Sequence, residues 1–155
     1  MAFVSARAAV AYDDGVRRLV RLWKERGLRH LADDAAAIVV ECVPRPTAEV
    51  VTFVPADRWR TRQRGHHAAE QLARSLAARW ELPCEARLRR VDSRRQRGLS
   101  ARERRGNPSF TGLVAGGSVV VVDDVYTTGA TANAAARALQ ARTEVVTFAR
   151  AVRLT

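Results

Sequence analysis

An α/β fold, a mainly parallel β-sheet flanked by helices, is predicted by three features of this 155-residue chain. Val119-Val120-Val121-Val122 is too short for a helix and too β-branched to favour one, so it reads as a buried central strand of a parallel sheet. An alanine-rich stretch from Ala132 to Leu139 comes after it and reads as a helix. Upstream, the apolar run Val50–Val54 precedes Leu72, Leu76 and Trp80 at helical spacing. Strand followed by helix, twice over, is the pattern of parallel sheets.

In chain order, Ala8–Tyr12 reads as a short strand and Asp13-Asp14-Gly15 as a turn that caps the next element. Val16, Leu19, Val20 and Trp23 fall at i, i+3, i+4 and i+7, one face of an amphipathic helix ending near Gly27. Tyr12 and Trp23 read as core, with the lining of a binding hood as the alternative. Leu28–Cys42 is expected to be a second helix, against the β-branched Ile38-Val39-Val40, and Pro44 and Pro46 break it. After strand 50–54 comes an arginine-rich loop holding Arg58, Trp59, Arg60, Arg62 and Arg64, then a helix over His66–Trp80 with Ala69 and Ala73 on its apolar side. His66 and His67 have no partner at metal-ligand spacing.

Ala86–Arg90 is expected to be a further strand. Asp92–Leu99, with Arg94, Arg95, Gln96 and Arg97 beside Gly98, has the composition of a mobile loop. Ser100-Ala-Arg-Glu103 fits a capping box that opens a short helix, ended by Gly106-Asn107-Pro108. Gly116-Gly117 turns into the valine strand, and Glu144–Val152 is the last strand. The sheet is therefore expected from strands near 50–54, 86–90, 118–122 and 144–152. No linker or repeat interrupts residues 1–155, which read as one domain.

Composition bounds the function. At 47% hydrophobic residues the chain is not a disordered one, and no apolar run approaches the ~18 residues of a membrane span. The N-terminus lacks the apolar core of a signal peptide, so a soluble, cytoplasmic protein is expected, with no membrane partner. Cys42 and Cys84 form no C-x-x-C, which excludes a zinc ribbon and favours free thiols. Net charge is +11, nearly all of the positive charge arginine, a balance that attracts phosphorylated ligands or nucleic acid. An alanine-, arginine- and valine-rich composition of GC-rich coding origin explains the excess equally well, except where arginines cluster near the expected site.

That site comes directly after the valine strand: Asp123, Asp124, Val125, Tyr126, Thr127, Thr128, Gly129, Ala130 and Thr131. Backbone N–H groups from Thr127 to Thr131 lie at a helix N-terminus, where unpaired donors and the helix dipole favour an anion. Gly129 permits close backbone approach, and the threonine hydroxyls add donors, which makes a phosphomonoester cradle. The carboxylates of Asp123 and Asp124 suit a ligand that also brings hydroxyl donors or a developing positive charge. A ribose 5-phosphate offers both. A second anion site is expected in the arginine-rich loop after strand 50–54, at Arg58, Arg60, Arg62 and Arg64 just before the helix. A Walker loop is excluded for want of GxxxxGK[ST], the chain's single lysine, Lys24, lying far away in sequence. Val125 stands where a haloacid-dehalogenase loop would place its second aspartate.

Val119–Thr131 resembles the phosphoribosyl pyrophosphate (PRPP) loop of type I phosphoribosyltransferases. The resemblance implies that Asp123 and Asp124, the catalytic pair, bind the ribose hydroxyls and that Tyr126–Thr131 bind the 5-phosphate. It also implies that Ala56, Asp57 and Arg58 meet the pyrophosphate, and that Arg94, Arg95 and Gln96 belong to a flexible loop closing over it. Magnesium would bridge pyrophosphate and ribose oxygens, held by ligand and water with no metal ligand directly from protein. Further segments resemble the ComF-like (competence protein F) branch. These are Arg64-Gly65-His66-His67, in place of an RGFN-type segment, and the series Arg90, Gln96, Leu99-Ser100, Glu103-Arg104, Asn107 and Phe110. That branch usually carries an N-terminal four-cysteine zinc ribbon, which this chain lacks.

The expected function is thus a phosphoribosyltransferase, a PRPP-binding glycosyltransferase that releases pyrophosphate as it transfers to an unknown nucleobase or amine acceptor. A non-catalytic regulatory or interaction protein linked to competence and DNA uptake is the alternative, with nucleic acid, the competence machinery or a second copy of the chain (a homodimer) as open partners. A plain DNA-binding domain is weaker, because no helix-turn-helix or finger pattern is present and the aromatics do not interleave with the arginines.

Overall fold

The computed structural model describes residues 1–56, 67–91 and 108–152. Its elements are β1 (Ser5–Ala11), α1 (Asp14–Arg26), α2 (Arg29–Cys42), β2 (Val50–Phe53), α3 (Ala68–Trp80), β3 (Leu88–Arg90), β4 (Phe110–Gly112), β5 (Ser118–Tyr126), α4 (Ala130–Leu139) and β6 (Arg142–Arg150). Four strands form one sheet in the order β1-β6-β5-β2, every pair parallel. The α/β class and the central place of the valine strand are as expected.

Local chemistry sets the helix ends. Asp13 accepts a hydrogen bond from the Val16 N–H at 2.8 Å and starts α1. Gly27, at φ 61°, ends it in the left-handed region, its N–H bonding the Trp23 carbonyl. The β-branched Ile38-Val39-Val40 does not break α2, because Val39 is fully buried and tertiary packing outweighs a small propensity cost.

The sheet separates two cores. On one face, Val51, Phe53, Val120, Val122, Val146 and Phe148 pack against α1, α2 and α3. On the other, Val50, Val54, Val119 and Val121 pack against Ala135 and Leu139 of α4 and Leu88 of β3. The alternation along each strand is the two-residue period of a sheet covered on both sides. Trp23 belongs to the first core at 1% exposure, edge-on to Phe148 and donating its indole N–H to Gln71 Oε1 at 3.0 Å. It is core, not hood.

Several expectations need correction. β1 begins at Ser5 rather than Ala8, because β6 offers it a partner from Glu144 onward. β6 itself spans 142–150 rather than 144–152. α3 starts at Ala68, with His67 extended before it. The strand expected at 86–90 does not join the main sheet. Residues 83–87 run beside β2 through a single parallel bridge, Val51 with Cys84, and the Arg87 N–H goes to the Thr52 hydroxyl. The chain then leaves, and Leu88–Arg90 pairs antiparallel with β4, a strand not foreseen. Three residues of β4 give too short an alternation to be read from sequence. The capping-box helix expected from Ser100 lies outside the described residues.

Two features position the site. β2 ends at Phe53 opposite Val122, whereas β5 continues along β6 as far as Tyr126 opposite Arg150. The helices that come after β2 and β5 also cover opposite faces. Carboxyl ends of neighbouring strands diverge where connections change face, and a crevice opens there.

The small β3–β4 unit is fastened to α4 at Gly112, where a Cβ would run into the backbone carbonyl of Ala138. A backbone atom cannot swing aside, so Gly112→Ala should destabilise the fold by about 1–3 kcal/mol. Urea denaturation of the two proteins measures this, and equal midpoints would show that β4 is not held against α4. Among the described residues no helix is long and apolar enough to cross a membrane.

Candidate functional site

The acidic pair lies on β5, not in a loop after it. The sequence places the strand's end at Val122, but β6 is long enough to pair Asp123 with Thr147, Val125 with Ala149 and Tyr126 with Arg150. Successive side chains on a strand leave opposite faces, and the two carboxylates meet different neighbours. Asp123 lines a small cleft on the α4 side, together with Val54, Tyr126, Thr127, Gly129 and Thr131. Asp124 is buried and forms an ion pair with Lys24 of α1, on the other side of the sheet.

Backbone contacts fix both carboxylates. Asp123 Oδ1 accepts from the Asp124 N–H at 2.9 Å, and Asp124 Oδ1 from the Val125 N–H at 3.0 Å. Burial first, then the Asp124 carboxylate beside it, pushes the pKa of Asp123 well above the usual carboxylate range, with Lys24 pulling the other way.

The phosphate cradle is built on Gly129. It sits at φ 82°, at the N-cap of α4, and a Cβ there would run into the Tyr126 hydroxyl. Only glycine satisfies both the backbone angle and the contact. Asn133 holds the first turn from below, its side-chain and backbone N–H groups both donating to the Gly129 carbonyl, at 3.1 and 2.9 Å. The N-terminal segment adds a tie, the Ala2 N–H donating to Asn133 Oδ1 at 3.0 Å. Thr128 Oγ1 accepts from the Ala130 N–H at 3.3 Å. Thr127 and Thr128 are exposed, and Ala130 and Thr131 partly so. A helix's first N–H groups lack intrahelical partners and attract anions, so this turn faces the cleft with the polarity a phosphate needs.

The residues expected at the pyrophosphate divide. Ala56 comes shortly after β2 and is partly exposed, while Asp57, Arg58 and the arginines up to Arg64 lie outside the described residues. So do Arg94, Arg95 and Gln96, and Gly65, His66, Ser100 and Asn107. The two ends of the ComF-like segment are described and meet: Arg90 pairs with Phe110 across β3 and β4, its guanidinium 5.9 Å from the ring centre.

Two residues near the site, Lys24 and Arg150, carry little or no signal in the sequence, and a third, His67, is marked there only by the Arg64–His67 segment. Lys24 is remote from the acidic pair along the chain, and its one mark is being the only lysine among many arginines. Arg150, at the end of β6, lays its guanidinium 4.9 Å from the centre of the Tyr126 ring; nothing in its sequence context points to that contact. His67 lies half-buried before α3, edge-on to Phe53 at 5.7 Å and 3.7 Å from Glu70. Burial lowers its pKa against the pull of Glu70 and Asp124. No group of three potential metal-ligating side chains occurs among the described residues. No protein-family model matches this chain, and no curated protein matches it in sequence.

Proposed function

We propose that the chain binds PRPP and transfers its 5-phosphoribosyl group to a nucleobase or amine, releasing pyrophosphate, on a type I phosphoribosyltransferase-like fold. The strongest support is one cleft that brings together a strand carboxylate, Asp123, and a glycine-centred helix N-terminus at Gly129 and Thr131. A phosphate on that turn is favoured by the unpaired N–H groups and the helix dipole. A ribose attached to it would reach back toward β5, where Asp123 accepts from its hydroxyls.

Catalysis would be electrostatic and positional. As the bond at the anomeric carbon lengthens, positive charge develops there, and the Asp123 carboxylate in the cleft lowers the barrier. Magnesium accompanying PRPP would neutralise charge on the leaving pyrophosphate, and no side chain of the described residues is assigned to hold it. The donor set fits this arrangement, in which Asp123 meets the ribose side and the protein needs no metal cage. A cytoplasmic setting, where PRPP and free thiols coexist, belongs to the same proposal; Cys42 and Cys84 are both unbridged.

The test is pyrophosphate release from PRPP and magnesium, assayed against a panel of nucleobases and small amines, alongside calorimetric binding of PRPP alone. Release that depends on one acceptor class is expected. Binding without release by any acceptor would move the chain to a non-catalytic, ligand-sensing reading, and no PRPP binding at all would remove the transferase reading and leave an interaction protein on the same fold.

A further inference from the structure

We infer, on the strength of the phosphoribosyl reading above, that Lys24 is a positioning residue of the site: it holds the Asp124 carboxylate beneath the ribose position and so makes α1 part of the ligand-binding apparatus. Three observations carry this. Lys24 is the only lysine in a chain whose other permanently cationic side chains are all arginine. Its ammonium forms the ion pair with Asp124 Oδ2. That oxygen is buried with no other hydrogen-bond partner among the described residues, so without Lys24 a carboxylate oxygen would be left alone out of water.

The choice of lysine has a chemical reason. A compact ammonium on a flexible stem delivers one charge to one oxygen, where the wider guanidinium fork demands two acceptors. Lys24 remains 40% exposed at its side chain, so water serves its remaining donors. Leu22 of the same helix faces outward, while the adjacent Trp23 is locked into the core by Phe148 and Gln71. The anchored tryptophan fixes the rotation of α1 and thereby aims Lys24 at β5.

The consequence is electrostatic. Two adjacent carboxylates at the end of β5, even on opposite faces, would repel a polyphosphate ligand. Lys24 cancels one of those charges, so that PRPP meets a site with a single uncompensated acidic group. Among the described residues, the charged or titratable groups around this point include Asp123, Asp124 and Tyr126 on β5, Arg150 on β6, Lys24 on α1, and His67 with Glu70 at the start of α3.

Lys24→Met keeps the length of the stem and removes the charge, and Lys24→Arg restores the charge with different geometry. PRPP affinity, measured by calorimetry with magnesium, should fall about tenfold in the methionine variant and return to within roughly threefold of wild type in the arginine variant. The second readout needs no ligand: carbon-13 NMR titration of the Asp123 carboxyl in the free protein. Lys24 pulls that titration downward, so it should move further up in Lys24→Met and back down in Lys24→Arg. A lysine that serves only the fold would leave the PRPP affinity of the folded protein, and hence the arginine rescue, unmoved. If wild type binds PRPP and Lys24→Met binds it equally well, the positioning role is wrong while the phosphoribosyl reading stands. Should wild type not bind PRPP, the phosphoribosyl reading fails and takes the ligand-binding role of Lys24 with it. An unmoved Asp123 titration in Lys24→Met overturns the electrostatic link on its own.

Discussion

Asp123→Asn should stabilise the free protein and weaken PRPP binding at once. The carboxyl is partly buried, sits beside the Asp124 charge and has a pKa raised well above the ordinary range. In the unfolded chain an aspartate titrates near ~3.9. A raised folded-state pKa means that the stability Asp123 contributes is fully present below ~3.9 and is lost as pH rises through the folded value. At neutral pH the wild type is therefore less stable than an asparagine variant, by about 1.4 kcal/mol for every tenfold rise in the carboxylate's proton affinity on folding. Urea midpoints from pH 4 to 8 should fall with rising pH in wild type more steeply than in Asp123→Asn. Parallel profiles would mean that Asp123 feels no such penalty.

Binding should change in the opposite direction. A hydrogen bond to a charged acceptor contributes about 1.5–3 kcal/mol, so PRPP affinity should drop roughly ten- to a hundredfold. Asp124→Asn offers the contrast. It relieves the same repulsion but breaks the Lys24 pair, and since Lys24 keeps contact with water the cost is about 1 kcal/mol. The two neighbours, alike in sequence, should thus differ in sign on stability. Equal effects would show that the pair acts as one unit rather than through separate faces of the strand. A site residue whose removal stabilises the protein accords with the general trade-off between function and stability.

The sequence made the outline legible wherever burial dictates residue type. Val119–Val122 and Val50–Phe53 are strands because both their faces are covered, and runs of β-branched residues record that. Gly27 and Asp13 marked the ends of α1 through their own side-chain and backbone chemistry. Illegible were features set by distant partners. The extension of β5 through Asp123–Tyr126 depends on β6 being equally long, which no local pattern encodes. The departure of Leu88–Arg90 from the main sheet depends on β4, a three-residue partner well separated along the chain. Lys24 meets Asp124 across most of the length of the chain, and only the packing of Trp23 brings it there. For the site itself, the cradle around Gly129 was readable as helix-N-terminus chemistry, whereas the division of Asp123 and Asp124 between two faces comes from their lying on a strand.

PRPP with magnesium should raise the thermal midpoint more than either of its parts. A ligand that binds only the folded chain, at ~100 times its dissociation constant, adds about 2.7 kcal/mol of stability. For a domain of this size that corresponds to a rise of roughly 5–10 °C. Ribose 5-phosphate should give a smaller shift, since it keeps the contacts with Asp123 and the Gly129 turn but lacks the pyrophosphate. Pyrophosphate alone should give a smaller one still, because it has no hydroxyls to offer Asp123. Matched ionic strength is essential, for a chain of net charge +11 gains from any polyanion through screening alone. The Asp123→Asn variant supplies the internal control: its response to ribose 5-phosphate should shrink while its response to pyrophosphate stays unchanged. If pyrophosphate stabilises wild type as much as PRPP does, the arginine-rich surface is collecting anions without regard to shape. Asp123 and the threonine–glycine turn would then be a strand end and a helix cap, with no ribose between them.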